Sequence, residues 1–174
     1  MQRIINEEIT KTIDMDKLRK IIPSYCRVVR YDALKNKKTL ADVMGKYECL
    51  IILFNIHDEK HRLLNVPGHF FLLSTRGPEP CVVFSSTGMT PKKELFVTHS
   101  DPSLFERVLP KGTVYNNVKF QITKDSNTCW RWTIAYAHLA KWGLKKFQAT
   151  FRRPSLTITR ADQLVTLLTY LSLQ

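Results

Sequence analysis

Several things are missing from this sequence, and each absence excludes a class. No CxxC pair occurs: Cys26, Cys49, Cys81 and Cys129 are widely spaced, so neither a zinc site nor a dithiol redox motif is expected and all four read as reduced thiols. The longest apolar runs, such as Cys49–Phe54, are far too short to cross a bilayer, and the opening MQRIINEEIT has no apolar signal-peptide core. A soluble, intracellular protein with no membrane partner is therefore expected. Internal repeats, low-complexity tracts and linkers are also lacking, which points to a single domain over residues 1–174. Acidic residues are scarce: 15 against 27 basic, a formal charge of +12, and none lies between positions 141 and 160.

What is present is a globular balance, with 44% hydrophobic and 24% charged residues in 174, enough to bury a core without staples. The stretch without acids holds Lys141, Lys145, Lys146, Arg152, Arg153 and Arg160, interleaved with Trp142, Phe147 and Phe151. Basic residues among aromatics can track a phosphate backbone without reading sequence. The same pattern also describes a solvated basic face beside core aromatics. Both readings stay open at this level.

Residues 16–22, stopped by Pro23, read as a short helix, and Thr39 with Asp42 forms a capping box for another that Gly45 ends. The period then changes. Cys49–Phe54, His69–Ser74 and residues 81–85 read as strands of a sheet covered on both faces, punctuated by Pro67-Gly68 and by the turn residues 76–80. Asp101-Pro102 starts a short helix ending before Pro110, and residues 118–122 form a further strand. Residues 129–144 read as a helix apolar nearly all round and hence buried, with Asn127 or Thr128 as its N-cap. A last helix, with Thr159 as candidate cap and Leu164, Val165, Leu167, Leu168 and Leu171 as its apolar face, is expected to pack outside the sheet. The class is α+β: a small mixed sheet against a buried central helix, with flanking helices.

Cys129 stands apart from the other cysteines because it follows the polar run DSNT at a helix start, where the helix dipole favours thiolate. A nucleophilic cysteine needs an imidazole. His138 lies nine residues later, about two and a half turns and roughly 13 Å along the same helix, and reads as a core or groove histidine. His57 and His61, in HDEKH, miss the HExxH zinc pattern because the glutamate is one place late. His99 reads as a surface loop residue. His69 opens a strand, so a polar side chain can stand at the sheet's end above buried apolar neighbours.

The ordered set GHFFLL, VVFSSTG and FQITKDSNTCW resembles the adenovirus-type cysteine proteases, in the clan of the ubiquitin-like-modifier proteases, and especially their compact versions in virophages and Polinton-like elements. The likeness spans residues 69–143. It implies Cys129 as nucleophile, which the central helix would carry at its N-terminus, His69 as base and then acid, and Gln121 as side-chain oxyanion donor. Ser85 stands where the family has Asp or Glu, so a Cys/His dyad is expected, with Ser85 either orienting the imidazole or lining its strand. Trp130 replaces the glycine common after the cysteine. The implied function is an endopeptidase that cuts viral structural precursors next to small residues during capsid maturation, in the virion and the host cytoplasm. Non-specific DNA binding through Lys141, Lys145, Lys146, Arg152 and Arg153 is read from the charge pattern; the adenovirus enzymes use DNA and a peptide as activators, the sequence shows no peptide-binding groove, and no cofactor is implied. An isopeptidase or acyltransferase on the same scaffold, and a non-enzymatic basic nucleic-acid-binding protein, are the alternatives.

Overall fold

Valine, isoleucine, leucine and phenylalanine alternate between two faces in the middle of the chain, and this alternation builds the sheet. The computed structural model describes residues 2–58, 60, 62–64, 68–121 and 126–173. His61 and Glu59 of the HDEKH run, Pro67, Ile122 and Asp125 lie outside the described residues. Five strands, β1 (Cys26–Arg30), β2 (Cys49–Phe54), β3 (His69–Ser74), β4 (Val82–Ser85) and β5 (Val114–Tyr115), lie side by side in chain order. The outer pairs β1/β2 and β4/β5 are parallel and the inner pairs antiparallel. The fold is a mixed α and β one, with eight α-helices among the described residues.

Side-chain alternation divides the core in two. Cys49, Ile51, Phe70, Leu72, Val82 and Phe84 face a layer containing α6 (Cys129–Leu139), α7 (Leu144–Phe151) and α8 (Ile158–Leu171). Leu50, Ile52, Phe54, Phe71, Leu73 and Val83 face α3 (Leu40–Met44), α4 (Pro91–Val97) and α5 (Ser103–Val108). Both faces are covered, as the continuous apolar strands require. Each fully buried Leu, Ile or Phe contributes about 1.5–3 kcal/mol. On the α6 side an aromatic cluster locks the layers: Phe84 stacks on Tyr136 at 4.6 Å, and Phe147 meets both edge-on.

The short helices largely follow their caps. Asp14 caps α2 (Met15–Ile21), one residue earlier than expected, and the Thr39–Asp42 capping box is present with Gly45 at the end of α3. Strand β1, helix α1 (Gln2–Glu8) and helix α4 were not anticipated.

Three expectations are corrected. The helix from Cys129 stops at Leu139 and, after a 3₁₀ turn, restarts as α7 beyond Gly143, whose φ of +80° suits glycine and breaks the run. Residues 118–121 form no strand; the N–H groups of Phe120 and Gln121 both donate to the Ser86 carbonyl instead. Helix α8 is capped by Thr157, not Thr159, and packs on α6 and α1 rather than on the sheet. Its buried face is Ala161, Asp162, Val165, Thr166 and Thr169, while Leu164, Leu168 and Leu171 are exposed. The reason is that α6 buries polar groups that need acceptors. Arg131, fully buried, donates to Glu8 Oε2 (2.7 Å) and Thr169 Oγ1 (2.6 Å), and Trp132 Nε1 donates to Asp162 Oδ1 (2.8 Å).

Candidate active site

The start of α6 sits under the rim of the sheet. Thr128 occupies the N-cap position but makes no capping bond, because its hydroxyl is turned to donate to the buried Asp162 carboxylate. Asn127 does not cap the helix either. Its backbone N–H donates to Ile9 O (2.9 Å) and its side-chain amide to Thr10 O (2.7 Å). Trp130 Nε1 donates to Lys11 O (3.1 Å). Residues 9–13 are thereby strapped across the helix start. Thr12 and Ile13 join Leu53, Gly68, Phe70 and Trp130 around a cavity of about 80 Å³ that Cys129 also lines.

Cys129 is 7% exposed. Burial is the largest influence on its thiol and pushes the pKa up to about 11. The backbone N–H groups of Phe70, Trp130 and Cys129 itself pull the other way, as a helix start should, without prevailing. The thiolate expected from sequence position is therefore outweighed by desolvation, and the resting thiol holds its proton at neutral pH.

His69 pairs with Phe54 across β2 and β3, and its ring packs against Phe54 (5.5 Å) and Phe71 (5.9 Å, edge-on). Its Nε2 lies 3.1 Å from Ser85 Oγ, and that hydroxyl donates to Glu94 Oε1 at 2.7 Å. Thr87 donates to the same carboxyl oxygen. His69 Nε2 is itself 3.5 Å from Glu94 Oε1. With Ser85 donating to Glu94, the network assigns the ring proton to Nε2 and leaves the Nδ1 lone pair as the available base.

Glu94 is the residue that sequence reasoning missed. It is 3% exposed, on the inward side of α4, where Thr90 caps the helix and Pro91 fills its first turn. Burial pushes its carboxyl up to about 8, and burial pushes His69 down to about 4. Both influences favour the uncharged pair over an imidazolium–carboxylate pair. Oε1 accepts from the Ser85 and Thr87 hydroxyls, and Oε2 is buried without a hydrogen-bond partner among the described residues. The Thr-Pro start was the signal that could have revealed α4.

The structure thus joins His69 to Ser85 and adds Glu94. It also places Cys129 beside Phe70, the residue after His69, in the lining of one cavity. It does not join thiol and imidazole. Among the described residues no hydrogen bond links them, and the His69 ring lies with Phe54 and Phe71 while Cys129 lies with Phe70 and Leu72 across the sheet. Gln121 is occupied at both ends: Oε1 accepts from Ser86 Oγ (2.8 Å) and Nε2 donates to Ser126 O (3.0 Å). These two bonds hold the chain ahead of α6.

Of the other histidines, His57 faces a separate cavity, His99 is exposed as expected, and His138 is exposed at the end of α6 rather than set in the core. No group of three or more metal-binding side chains occurs among the described residues. Lys141, Lys145, Lys146, Arg152 and Arg153 are all exposed. The interleaved aromatics divide: Phe147 and Phe151 are core, and Trp142 is 44% exposed with the Lys146 ammonium over its ring.

No family model matches the chain, and no curated protein does. Among solved structures it is similar to the central domain of an uncharacterized protein, Lpg1148, from Legionella pneumophila, at 14% identity and a TM-score of 0.45, covering 94% of this chain and 99% of that one. A likeness of that size carries no functional argument.

Proposed function

We propose that the chain is a cysteine endopeptidase with Cys129 as nucleophile, His69 as proton acceptor and donor, and Ser85 and Glu94 as the groups that hold the imidazole. One observation carries this reading: the thiol at the start of α6 packs beside Phe70 of β3, next in the chain to a histidine whose Nε2 is engaged and whose Nδ1 is left over. In the reaction the thiol proton passes to Nδ1 as sulfur bonds to the peptide carbonyl carbon. The same proton then goes to the leaving amine as the C–N bond breaks, and water releases the acyl group from sulfur. Bringing Nδ1 to Sγ takes a movement of the imidazole or of the α6 start, and opening of the strap admits substrate. The family resemblance supports the narrower substrate class, viral structural precursors cut beside small residues.

The test is alkylation and cleavage together. A cysteine-directed electrophile should label Cys129 ahead of Cys26, Cys49 and Cys81 in the folded protein, and both Cys129→Ala and His69→Ala should lose precursor cleavage. Cleavage retained by Cys129→Ala overturns the proposal.

A basic nucleic-acid-binding surface is a second reading, favoured by the exposure of Lys141, Lys145, Lys146, Arg152, Arg153 and Trp142 on one stretch. If five phosphates are neutralised, log affinity for duplex DNA should fall against log salt with a slope of about −4 to −5. A flat dependence removes it.

A further inference from the structure

A second cavity is larger than the one at Cys129. It has a volume of about 500 Å³ and opens on the α5 side of the sheet, with Leu53 and Phe54 at the end of β2 forming its floor. That size is within the range that encloses a small organic ligand. We infer that this cavity binds a small organic phosphate, with the phosphoryl group on Arg107 and Lys35 and the apolar body against Leu53, Phe54 and Leu104.

Arg107 is already fixed for the purpose. Its Nε donates to Lys37 O (3.2 Å) and its Nη2 to Lys35 O (3.0 Å), while Nη1 has no acceptor among the described residues. A guanidinium held on two carbonyls loses little further freedom when it takes an anion, and its planar fork matches phosphate oxygens. Neither Arg107 nor Lys35 forms a salt bridge among the described residues.

Two carboxylates, Asp32 and Asp101, share the lining, and Arg107 and Lys35 lie near enough to Asp101 to help hold its carboxyl below the usual range, after its bonds from Ser103. Asp101 accepts from Ser103 at both oxygens, from its N–H (2.9 Å) and from its hydroxyl (2.7 Å). Asp32 accepts from the N–H of Ala33 (3.0 Å). Two histidines, His57 and His99, are also in the lining. His57 is held at Nδ1 by Ser100 Oγ (3.4 Å), which leaves Nε2 for the cavity.

His99 also lines the cavity. It has a φ of +52° and is the sole non-glycine residue with positive φ among the described residues. Glycine would adopt that conformation without strain. Its place in the chain accounts for it: His99 follows the C-cap Thr98 of α4, where its N–H donates to Phe96 O (3.1 Å) and the Ser100 N–H to Leu95 O (2.7 Å) in the left-handed turn that ends the helix.

This inference does not depend on the endopeptidase reading, and its test is binding alone. Isothermal titration of the full chain with AMP, adenosine and inorganic phosphate should show saturable AMP binding, weaker phosphate binding and none for adenosine. Lys35 is exposed, so Lys35→Glu should fold normally and weaken AMP by at least about tenfold. Lys145→Glu makes the same change in net charge on the other face and should alter affinity by less than about twofold at physiological salt. Absence of saturable AMP binding overturns the inference, and so does equal weakening by the two variants. Competition by duplex DNA that Lys35→Glu abolishes would assign the cavity to nucleic acid and overturn the small-ligand assignment.

Discussion

His69 and Phe70 are neighbours in one strand and stand at the boundary of two different environments. On the Phe70 side, Cys129 is surrounded by apolar side chains, and its polar contacts are backbone N–H groups. On the His69 side, a buried carboxyl is surrounded by hydroxyls and an imidazole. Burial keeps the reactive group uncharged on both sides, but by different supports. The thiol environment is made by backbone position and by a covering segment; the carboxyl environment is made by four side chains. Substitutions on the carboxyl side should therefore change stability and its pH dependence, and those on the thiol side chiefly chemistry and access.

The largest effect should come from the residue both sides share. A Cβ on Gly68 would lie 2.5 Å from Phe54 O and 2.8 Å from Leu53 Cδ1. Gly68→Ala must push β3 away from β2 and is expected to cost about 3 kcal/mol in denaturant unfolding. A loss under about 0.5 kcal/mol would show that the two strands separate freely at this end and erase the contrast.

Next is the pH dependence of the carboxyl side. Glu94 has a folded pKa of about 8 against an ordinary 4.5, so its contribution is complete below about 4.5 and is lost as pH rises to 8. His69 is depressed to about 4 from 6.5, so its contribution is complete above 6.5 and is lost as pH falls through 4. Between about 4.5 and 6.5 the two slopes cancel, because the folded and unfolded pairs hold the same number of protons. Above 6.5 only Glu94 is left, and stability should fall by about 2 kcal/mol by pH 8. Glu94→Gln should flatten that fall; an unchanged slope in the variant would place the titrating group elsewhere.

Ser85→Ala should cost about 1 kcal/mol, since it removes the hydroxyl between His69 and Glu94 while leaving Thr87 on the carboxyl. The same change should lower peptidase kcat/KM by about tenfold, and Ser85→Thr should restore part of it. Smallest in stability is Cys129→Ala, under about 1 kcal/mol, with complete loss of cleavage. A larger loss of stability than for Ser85→Ala would make Cys129 chiefly a packing residue.

The strands β2 and β3 and the start of α6 were legible because apolar period and flanking turn residues agree there. The break after Leu139 was hidden because the α7 face continues the apolar pattern across Gly143. The α8 leucines misled for a different reason. Helical spacing identifies an apolar stripe, but here the partner helix buries Arg131 and Trp132, so the face turned inward carries Asp162 and Thr169 to accept from them. Ser85 was legible as the polar residue that closes the β4 run. Glu94 was not, because a charged residue in PKKELF reads as solvent-facing until α4 is folded against β4. Chain order brought out Cys129, His69 and Gln121 together, yet order alone cannot tell which side of a strand a side chain takes, and the His69 ring and the thiol fall on different sides.

The strap over the helix start makes Cys129 a clock. Residues 9–11 give their carbonyls to Asn127 and Trp130, so a reagent reaches the sulfur only in the fraction of molecules where those bonds are broken. When closing is faster than alkylation, the labelling rate is the intrinsic rate multiplied by that open fraction, and each 1.4 kcal/mol of strap stability slows it about tenfold. Titrating denaturant below the unfolding midpoint would then separate a local opening, insensitive to denaturant, from global unfolding, which is not.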